Sequence, residues 1–402
     1  MKHFLRLVGY ECRKAFGNPG IVLFLAALLA LNGWKIQDQY HRATGAFDPY
    51  KRQYQETYAT YSGTITAEKA QKIMTIYRPL DEKLRNMQLK SEYDPNAYTY
   101  SEATDEQFFG MLFVYEMQYD YYYRNNAISI VENARTLAQS PNVSAYIARE
   151  NTRIAWDFSG RSIPNFTDTR GSHVLLNYDY STMLALLMCI FGLCGVFVRE
   201  QESEMSMLLP TTRYGTGATV AAKLTAAVLF LLGIGILFYG EDFLVIYTLE
   251  EYHDALSAPI YSLAKMEQTP LRCTIGSYFL LSAGMRILGL MACGCLVLLL
   301  SSLAKQTLTA FLTGFFALFL GILLHDGSGS RTGLKWFNPT GLLFPREMLR
   351  WDRFVNVFGF PMRQTGFLMM TVALLSVGML LWVLYRSRSY HHQGRRQRHG
   401  RL

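Results

Sequence analysis

Long, nearly uncharged runs of apolar residues constrain this chain more than any other feature of its sequence. An α-helix needs about 20 predominantly apolar residues to cross the hydrocarbon core of a bilayer. The runs lie at about residues 21–34, 181–198, 220–240, 278–303, 308–324 and 366–385. The first run is short, but we expect its helix to continue past Lys35. The sequence therefore predicts an all-α polytopic membrane protein with six transmembrane helices.

Composition supports the same class. Hydrophobic residues make up 50% of the 402 residues and charged residues only 17%, whereas soluble chains carry about 25% charged residues. The net charge is +8, and much of this excess lies in a basic tail at residues 386–402, directly after the last run. We interpret the tail as a cytoplasmic anchor rather than a nucleic-acid site, because no aromatic residues are interleaved with a basic surface.

The N-terminal part predicts two helices and a large polar insert. Residues 1–18 place apolar side chains near helical spacing among basic ones, which is typical of an interfacial amphipathic helix. The first transmembrane helix is predicted at 19–35, and residues 36–173 form a tyrosine-rich insert with nearly balanced charge. We predict a helical extracytoplasmic domain for the insert. Its tyrosines could stack a ligand, but at helical spacing they more often pack a core.

Residues 174–402 are predicted to form a five-helix transmembrane region. Six spans put both termini on one side, and the positive-inside rule makes that side the cytoplasm. The connection at 325–364 then lies on the outer side, and its arginines and aromatic residues predict a re-entrant or interfacial pair of short helices. Three charges, Glu241, Asp242 and Arg286, fall toward the outer ends of their helices, where we expect snorkelling or interfacial placement rather than an ion pathway.

Several chemical signatures are missing from the sequence. It contains no G-x-x-x-x-G-K-[ST] phosphate loop, no H-E-x-x-H zinc motif and no G-x-S-x-G nucleophile elbow. Histidines are not clustered as a metal site requires. We therefore predict no catalytic, cofactor-binding or metal-binding residues and no enzymatic activity.

The polar break at residues 199–223 is the most informative loop. Its acidic start is expected to lie at a helix N-terminus, where carboxylates meet the positive end of the helix dipole. Apolar side chains follow, and Pro210 ends the helix. The residues support two interpretations equally: a solvated loop of mixed charge, or a short amphipathic helix that docks in a groove of another protein.

The layout and this loop together resemble the type-2 ATP-binding-cassette permeases of bacterial exporters. That family shows an interfacial helix, one span, often a large insert, and five further spans. Its short helix after the second span is matched here by Glu200, Glu202, Leu208, Leu209, Thr211, Thr212, Arg213, Gly215 and Lys223. The resemblance implies a multi-pass subunit of the bacterial cell membrane, expected to export a peptide, lipid-like or antibiotic substrate.

The resemblance also implies partners and a site. ATP would be bound by a separate cytoplasmic ATP-binding-cassette ATPase, and a second permease copy would complete a homodimer or heterodimer in the lipid bilayer. The residues expected to couple the ATPase to the spans are Glu200, Glu202, Glu204, Leu208, Leu209 and Arg213.

Two other functions remain open from the residues. A membrane-anchored sensor or accessory protein could bind a ligand or partner through residues 36–173, although it would need only one or two spans. A secondary transporter would be expected to carry a carboxylate nearer the middle of the membrane.

Overall fold

The computed structural model of the protein describes residues 2–45, 50–91, 109–203, 215–327 and 338–399. These ranges are mostly helical and include six helices long and apolar enough to cross a membrane, which confirms the predicted helical class. We call them spans 1 to 6. They are Pro19–Thr44, Arg170–Glu202, Gly217–Leu249, Ile275–Leu303, Thr307–His325 and Gln364–Arg386.

The helices are numbered in chain order. They are α1 (Lys2–Phe16), α2 (Pro19–Thr44), α3 (Lys51–Tyr61), α4 (Ala67–Ser91), α5 (Tyr115–Gln139), α6 (Ala145–Phe158), α7 (Arg170–Asn177), α8 (Tyr180–Leu193), α9 (Gly195–Glu202), α10 (Gly215–Leu249), α11 (Ile275–Leu303), α12 (Thr307–Gly327), α13 (Arg346–Arg350) and α14 (Gln364–His399). A π-helical turn spans Phe109–Val114, and 3₁₀ turns span Asp254–Ser257, Ile260–Ser262 and Pro339–Leu343. The strands are β1 (Gly63–Thr64), β2 (Asn165–Phe166), β3 (Phe354–Val357) and β4 (Phe360–Arg363), paired antiparallel as β1–β2 and β3–β4.

The chain enters span 1 through a capped turn. The Asn18 side chain accepts a hydrogen bond from the Gly20 amide at 2.9 Å, and Pro19 occupies the first turn of α2. Proline is favoured there because its fixed φ suits a helix start and its missing N–H would be unpaired. As predicted, the helix continues past residue 35, and it ends at Thr44.

Span 2 lies at the centre of the helical bundle. It is built from α7, α8 and α9, and 72% of its most apolar window is buried. Met188 and Leu193 of α8 are fully buried in a core with Leu231 of α10 and Cys293 of α11. Spans 5 and 6 are only 17% and 22% buried, so their apolar faces remain open.

Glycines allow close approach between some of these helices. A Cβ atom at Gly294 would lie 2.4 Å from Leu231, and one at Gly235 would lie 2.6 Å from Ile287. Small residues at helix contacts let backbones approach closely in membrane bundles. Gly235 and Gly294 are therefore positions where two helices pack closely.

The region between spans 1 and 2 packs its aromatic residues inward. Tyr54 and Tyr58 of α3 are buried with Phe113 and Phe166 in one core. The prediction that these tyrosines pack a core is confirmed, while Tyr115 of α5 is 69% exposed. The insert is thus a folded helical unit.

The connection between spans 5 and 6 differs from the predicted pair of interfacial helices. Its described part has one 3₁₀ turn, the five-residue α13 and the β3–β4 hairpin. Phe358 and Gly359 both have positive φ, at 51° and 86°, which is the geometry of a type I′ hairpin turn. The prediction missed the hairpin because phenylalanine replaces the asparagine or aspartate that usually marks such a turn.

Candidate functional site

Two of the glutamates that were expected to begin a helix, Glu200 and Glu202, instead lie at the end of one. Glu200 and Glu202 lie in the last turn of α9, which directly continues α8 at the end of span 2. Carboxylates are unfavourable at a helix C-terminus because the dipole is negative there. Two sets of contacts from other segments compensate for this placement.

The first set is an ion-pair cluster around Glu200, which we call the Glu200 cluster (Glu11, Lys14, Glu200 and Lys223). Oε1 of Glu200 accepts a hydrogen bond from Lys14 Nζ at 2.7 Å, and Oε2 forms a close ion pair with Lys223 Nζ. The side chains of Glu200 and Lys223 are only 11% and 2% exposed. The carboxylate is thus held by one cation from α1 and one from α10.

Lys223 is held on three sides within a mostly apolar helix. Besides the ion pair, its ammonium group donates to the Val196 carbonyl oxygen at 3.2 Å and lies 5.4 Å from the centre of the Phe197 ring. A buried ammonium group requires such partners because its desolvation is costly. Lys223 therefore joins the beginning of α10 to α9.

The amphipathic helix α1 completes the cluster. Its residue Glu11 is 6% exposed, and burial raises the pKa of Glu11 although Lys223 and Lys14 act in the opposite direction. Burial lowers the pKa of Lys14, but the hydrogen bond and charge of Glu200 outweigh it and leave that pKa raised. Two acidic and two basic groups balance here.

Apolar contacts hold α1 in this position. Val8 packs with Ala222 and Ala226 of α10, and the Phe16 ring stacks on Phe230 with centroids 3.9 Å apart. Stacked aromatic pairs add about 0.5–1.5 kcal/mol beyond the area they bury. The helix is therefore packed against span 3 through both its apolar face and its charges.

The second set of contacts joins α9 to α12. Glu202 accepts hydrogen bonds from the backbone amide of Thr307 at 2.7 Å and from its hydroxyl at 2.8 Å. Thr307 is the first residue of α12, so the carboxylate satisfies an amide that has no partner inside the helix. The predicted chemistry of a carboxylate at a helix N-terminus is present, but the helix belongs to span 5.

A further contact joins the same region to span 4. The Ser301 hydroxyl of α11 donates to the Cys194 carbonyl oxygen at 2.7 Å, at the break between α8 and α9. Taken together, the end of span 2 contacts α1 and spans 3, 4 and 5. A displacement of α9 would therefore act on several spans at once.

Four of the six residues predicted to couple to an ATPase lie outside the described residues. They are Glu204, Leu208, Leu209 and Arg213. Of the two described members, Glu200 pairs with Lys223 of α10 and Glu202 is bonded to Thr307 of α12. Lys14 and Thr307 were not among the predicted coupling residues, because they are 186 and 105 positions away from their partners.

A second buried polar cluster lies among spans 1, 2 and 3. Asn32 donates to Asp242 at 2.8 Å and to Glu241 at 3.0 Å, and its own oxygen accepts from the Tyr178 hydroxyl at 2.9 Å. Asp242 is only 3% exposed. Asn32 lies inside an apolar run, and buried amides require hydrogen-bond partners. This residue was therefore the sequence signal that could have predicted a buried polar cluster.

Arg286 of span 4 is bonded close to this second cluster. It is 7% exposed, forms an ion pair with Asp179 at 2.9 Å and donates to the Tyr178 carbonyl oxygen at 3.1 Å. The part of the prediction that expected snorkelling is therefore wrong for Asp242 and Arg286, because both side chains are buried against other spans. Asp242 and Arg286 both bond to other protein groups, because neighbouring spans supply donors and acceptors within reach.

Metal binding receives no support from the described ranges. They contain no group of three or more His, Cys, Asp or Glu side chains that could hold an ion.

Comparisons with known proteins do not assign the chain to a group. No protein-family model matches it, and no curated protein sequence matches it.

Proposed function

We propose that this protein is the membrane-spanning permease subunit of a bacterial ATP-binding-cassette exporter. The loop at residues 199–223 would lie in the cytoplasm and receive the movement of a separate ATPase subunit. The expected substrate class is a peptide, lipid-like or antibiotic molecule.

The Glu200–Lys223 ion pair carries the proposal. It joins the end of span 2 to the beginning of span 3. The two ends of the loop between Glu200 and Lys223 are therefore held together. A force applied to this loop would therefore move both spans together. Lys14 and Glu202 extend the connection to α1 and span 5.

The absence of a phosphate loop in the full sequence supports a separate ATPase. A permease that lacks its own nucleotide-binding motif needs a partner to hydrolyse ATP. The loop residues Leu208 and Leu209 would supply the apolar side of a docking helix, in the way that amphipathic helices fill grooves.

A second permease copy is part of the proposal. Spans 5 and 6 leave most of their apolar surface open, and exposed residues include Phe316, Leu320, Leu374 and Leu381. Lipid or a second subunit would cover these faces.

The proposal also includes the topology: both termini would be cytoplasmic, and the insert would lie outside.

Co-purification from native membranes tests the proposal. We expect the tagged wild-type protein to bring down a chain that carries a phosphate loop and hydrolyses ATP. Leu208→Asp should abolish this association because it places a charge on the apolar docking side. Leu137→Asp, in the exposed part of α5, is the matched control and should retain the ATPase.

Two results would contradict the proposal. One is the recovery of the pure permease chain without any ATPase under conditions that preserve membrane complexes. The other is equal ATPase recovery with wild type and Leu208→Asp.

A further inference from the structure

A cavity of about 290 Å³ lies between the insert and the segment that joins spans 3 and 4. Its walls come from α5, from the residues before and within α7, and from the 3₁₀ turn at Ile260–Ser262. The residues that line it include Glu116, Tyr119, Asp120, Thr169, His173 and Ser262. Its volume is just below the roughly 300–1,000 Å³ found for ligand sites, so it suits a small ligand or one end of a larger one.

Asp120 is an unusual group for this wall. It is only 6% exposed, and across the described ranges its carboxyl makes no hydrogen bond or ion pair. Burial raises its pKa to about 8. Buried carboxyl groups are normally paired. The Asp120 carboxyl group is therefore available to bind a ligand.

Ser262 provides a second, independent observation. It is 8% exposed and lines the same cavity, yet its hydroxyl has no hydrogen-bond partner in the described structure. A buried hydroxyl without a partner costs about 1–3 kcal/mol. Two buried polar groups from different segments therefore lack partners in one cavity.

Glu116 adds a second carboxyl group one helical turn from Asp120. Burial raises the pKa of Glu116 well above its ordinary value, and Asp168 and Asp120 raise it further. Residues four apart on a helix lie on the same face, which places both carboxyl groups on one wall.

The surrounding groups leave a negative charge on Asp120 or Glu116 without a neutralising cation once either carboxyl group ionises. The titratable groups that face Glu116, Asp120 and their neighbours from other segments are Tyr54, Asp168, Arg170, His173, Lys265 and Glu267. Arg170 is already bound by Asp168 through contacts of 2.6 and 3.0 Å. Lys265 is exposed, so it does not neutralise the buried wall.

We propose that this cavity binds the primary ammonium group of an amine, with the Asp120 carboxylate and the Ser262 hydroxyl as hydrogen-bond acceptors. The ammonium group has three donors to share between Asp120, Ser262 and Glu116. Tyr119 supplies an aromatic wall, and aromatic rings attract cations. The small volume suits a short alkylamine or the amine end of a larger molecule.

Binding should depend on pH in a defined direction. With an empty cavity, Asp120 holds its proton below about pH 8. A cation favours the ionised carboxylate, so binding releases this proton and the affinity rises as the pH rises through about 8. An alkylammonium keeps its own charge below about pH 10. The pH dependence of the binding affinity therefore comes from the carboxyl groups of the protein.

Isothermal titration of the full-length protein in detergent with n-butylammonium tests the proposal. In phosphate buffer, which contains no amine, we expect saturable binding that tightens between about pH 6 and about pH 9. Asp120→Asn keeps the shape and removes the charge, so it should weaken binding at least about tenfold and remove the pH dependence. Glu132→Gln, an exposed carboxylate on the same helix, should bind as wild type.

Two additional measurements sharpen the result. Ser262→Ala should weaken n-butylammonium and leave its pH dependence intact, because the carboxyl groups remain. Tetramethylammonium, which carries the charge without N–H donors, should bind more weakly than n-butylammonium. Absence of saturable binding to wild type, or equal binding to wild type and to a folded Asp120→Asn, would overturn the proposal.

The ammonium group could belong to a soluble amine or to a lipid headgroup. Nanodiscs distinguish the two sources. Competition by phosphatidylethanolamine bilayers, but not by phosphatidylglycerol bilayers, identifies the headgroup; undiminished n-butylammonium binding in both identifies a soluble amine. The test does not involve the ATPase partner, so its outcome is separate from that of the proposed transport function.

Discussion

At the scale of single residues, the Glu200–Lys223 pair is a buried contact on which the bundle depends. Both side chains are almost inaccessible, and removing one member of a buried pair leaves an uncompensated charge. Such changes typically cost about 3–5 kcal/mol. The pair is thus important for the fold as well as for the proposed coupling.

We predict that Glu200→Gln lowers the melting temperature of the purified protein, with a loss of about 3–5 kcal/mol in unfolding free energy. Exchanging the charges in the double variant Glu200→Lys with Lys223→Glu should recover part of that loss. Glu56→Gln is the control, because Arg52 and Glu56 form an ion pair whose side chains are 92% and 67% exposed. Exposed pairs contribute about 0–1 kcal/mol, so equal losses in both single variants would refute the role of the cluster.

Asp120 gives a second prediction, on pH and stability. Its pKa in the folded protein, about 8, lies above its ordinary value of 3.8, so its contribution to stability is lost as the pH rises from about 4 to about 8. The loss is at most about 1.4 kcal/mol per pH unit for one carboxyl group. Asp120→Asn removes this dependence, and its melting temperature should exceed that of wild type by a margin that grows with pH. A margin that is constant across this range would contradict the burial of an ionisable group.

Sequence patterns identified single residues better than pairs. Glu200 and Glu202 were predicted from an acidic segment expected at a helix N-terminus and from the resemblance to the permease family, and both make specific contacts. Their partners Lys14 and Thr307 could not be selected, because pairing across 186 and 105 positions depends on how the helices pack. The same holds for Asn32 and Asp242, which are 210 positions apart.

At the scale of elements, the insert is fastened to the segment between spans 3 and 4. Arg161 donates to the Thr269 carbonyl oxygen at 2.7 Å and to the Asp157 carbonyl oxygen at 2.7 Å. The Tyr58 hydroxyl donates to Asp254 at 2.5 Å from a different helix of the insert. These contacts make the insert and this segment one mechanical unit.

We predict that Arg161→Met loosens that unit. The variant keeps much of the side-chain volume but removes hydrogen bonds from a charged donor, which are worth about 1.5–3 kcal/mol each. Amide hydrogen exchange should rise in α6 and in residues 260–271 together. Arg124→Met, at an exposed position on α5, is the control and should leave the exchange of both segments unchanged. An increase confined to α6 would contradict the mechanical connection.

Elements were predictable where their signal is local. The long helices follow from uninterrupted apolar runs, and the start of α2 follows from Asn18 and Pro19. The β3–β4 hairpin and the division of span 2 into α7, α8 and α9 were missed. Both depend on tertiary packing, since Phe358 is an unusual turn residue and the breaks in span 2 carry no proline.

At the scale of the whole molecule, the proposed topology separates the insert from the Glu200 cluster by the membrane. Cysteine labelling tests this with an impermeant maleimide. Asn125→Cys should react in intact cells, whereas Gln201→Cys should react only after permeabilisation, since both positions are exposed in the structure. Cys12 and Cys273 are partly accessible and should first be replaced by serine. Reaction of both cysteines in intact cells would contradict the topology.

The central claim is that the loop at residues 199–223 contacts a separate ATPase, and photocrosslinking tests it most directly. A photoreactive amino acid is placed at Leu208 and, as the matched control, at Leu137 on the exposed surface of α5. After illumination of native membranes, we expect a crosslink from position 208 to a chain that carries a phosphate loop, and none from position 137. No crosslink to such a chain from position 208, or the same crosslink from both positions, would contradict it.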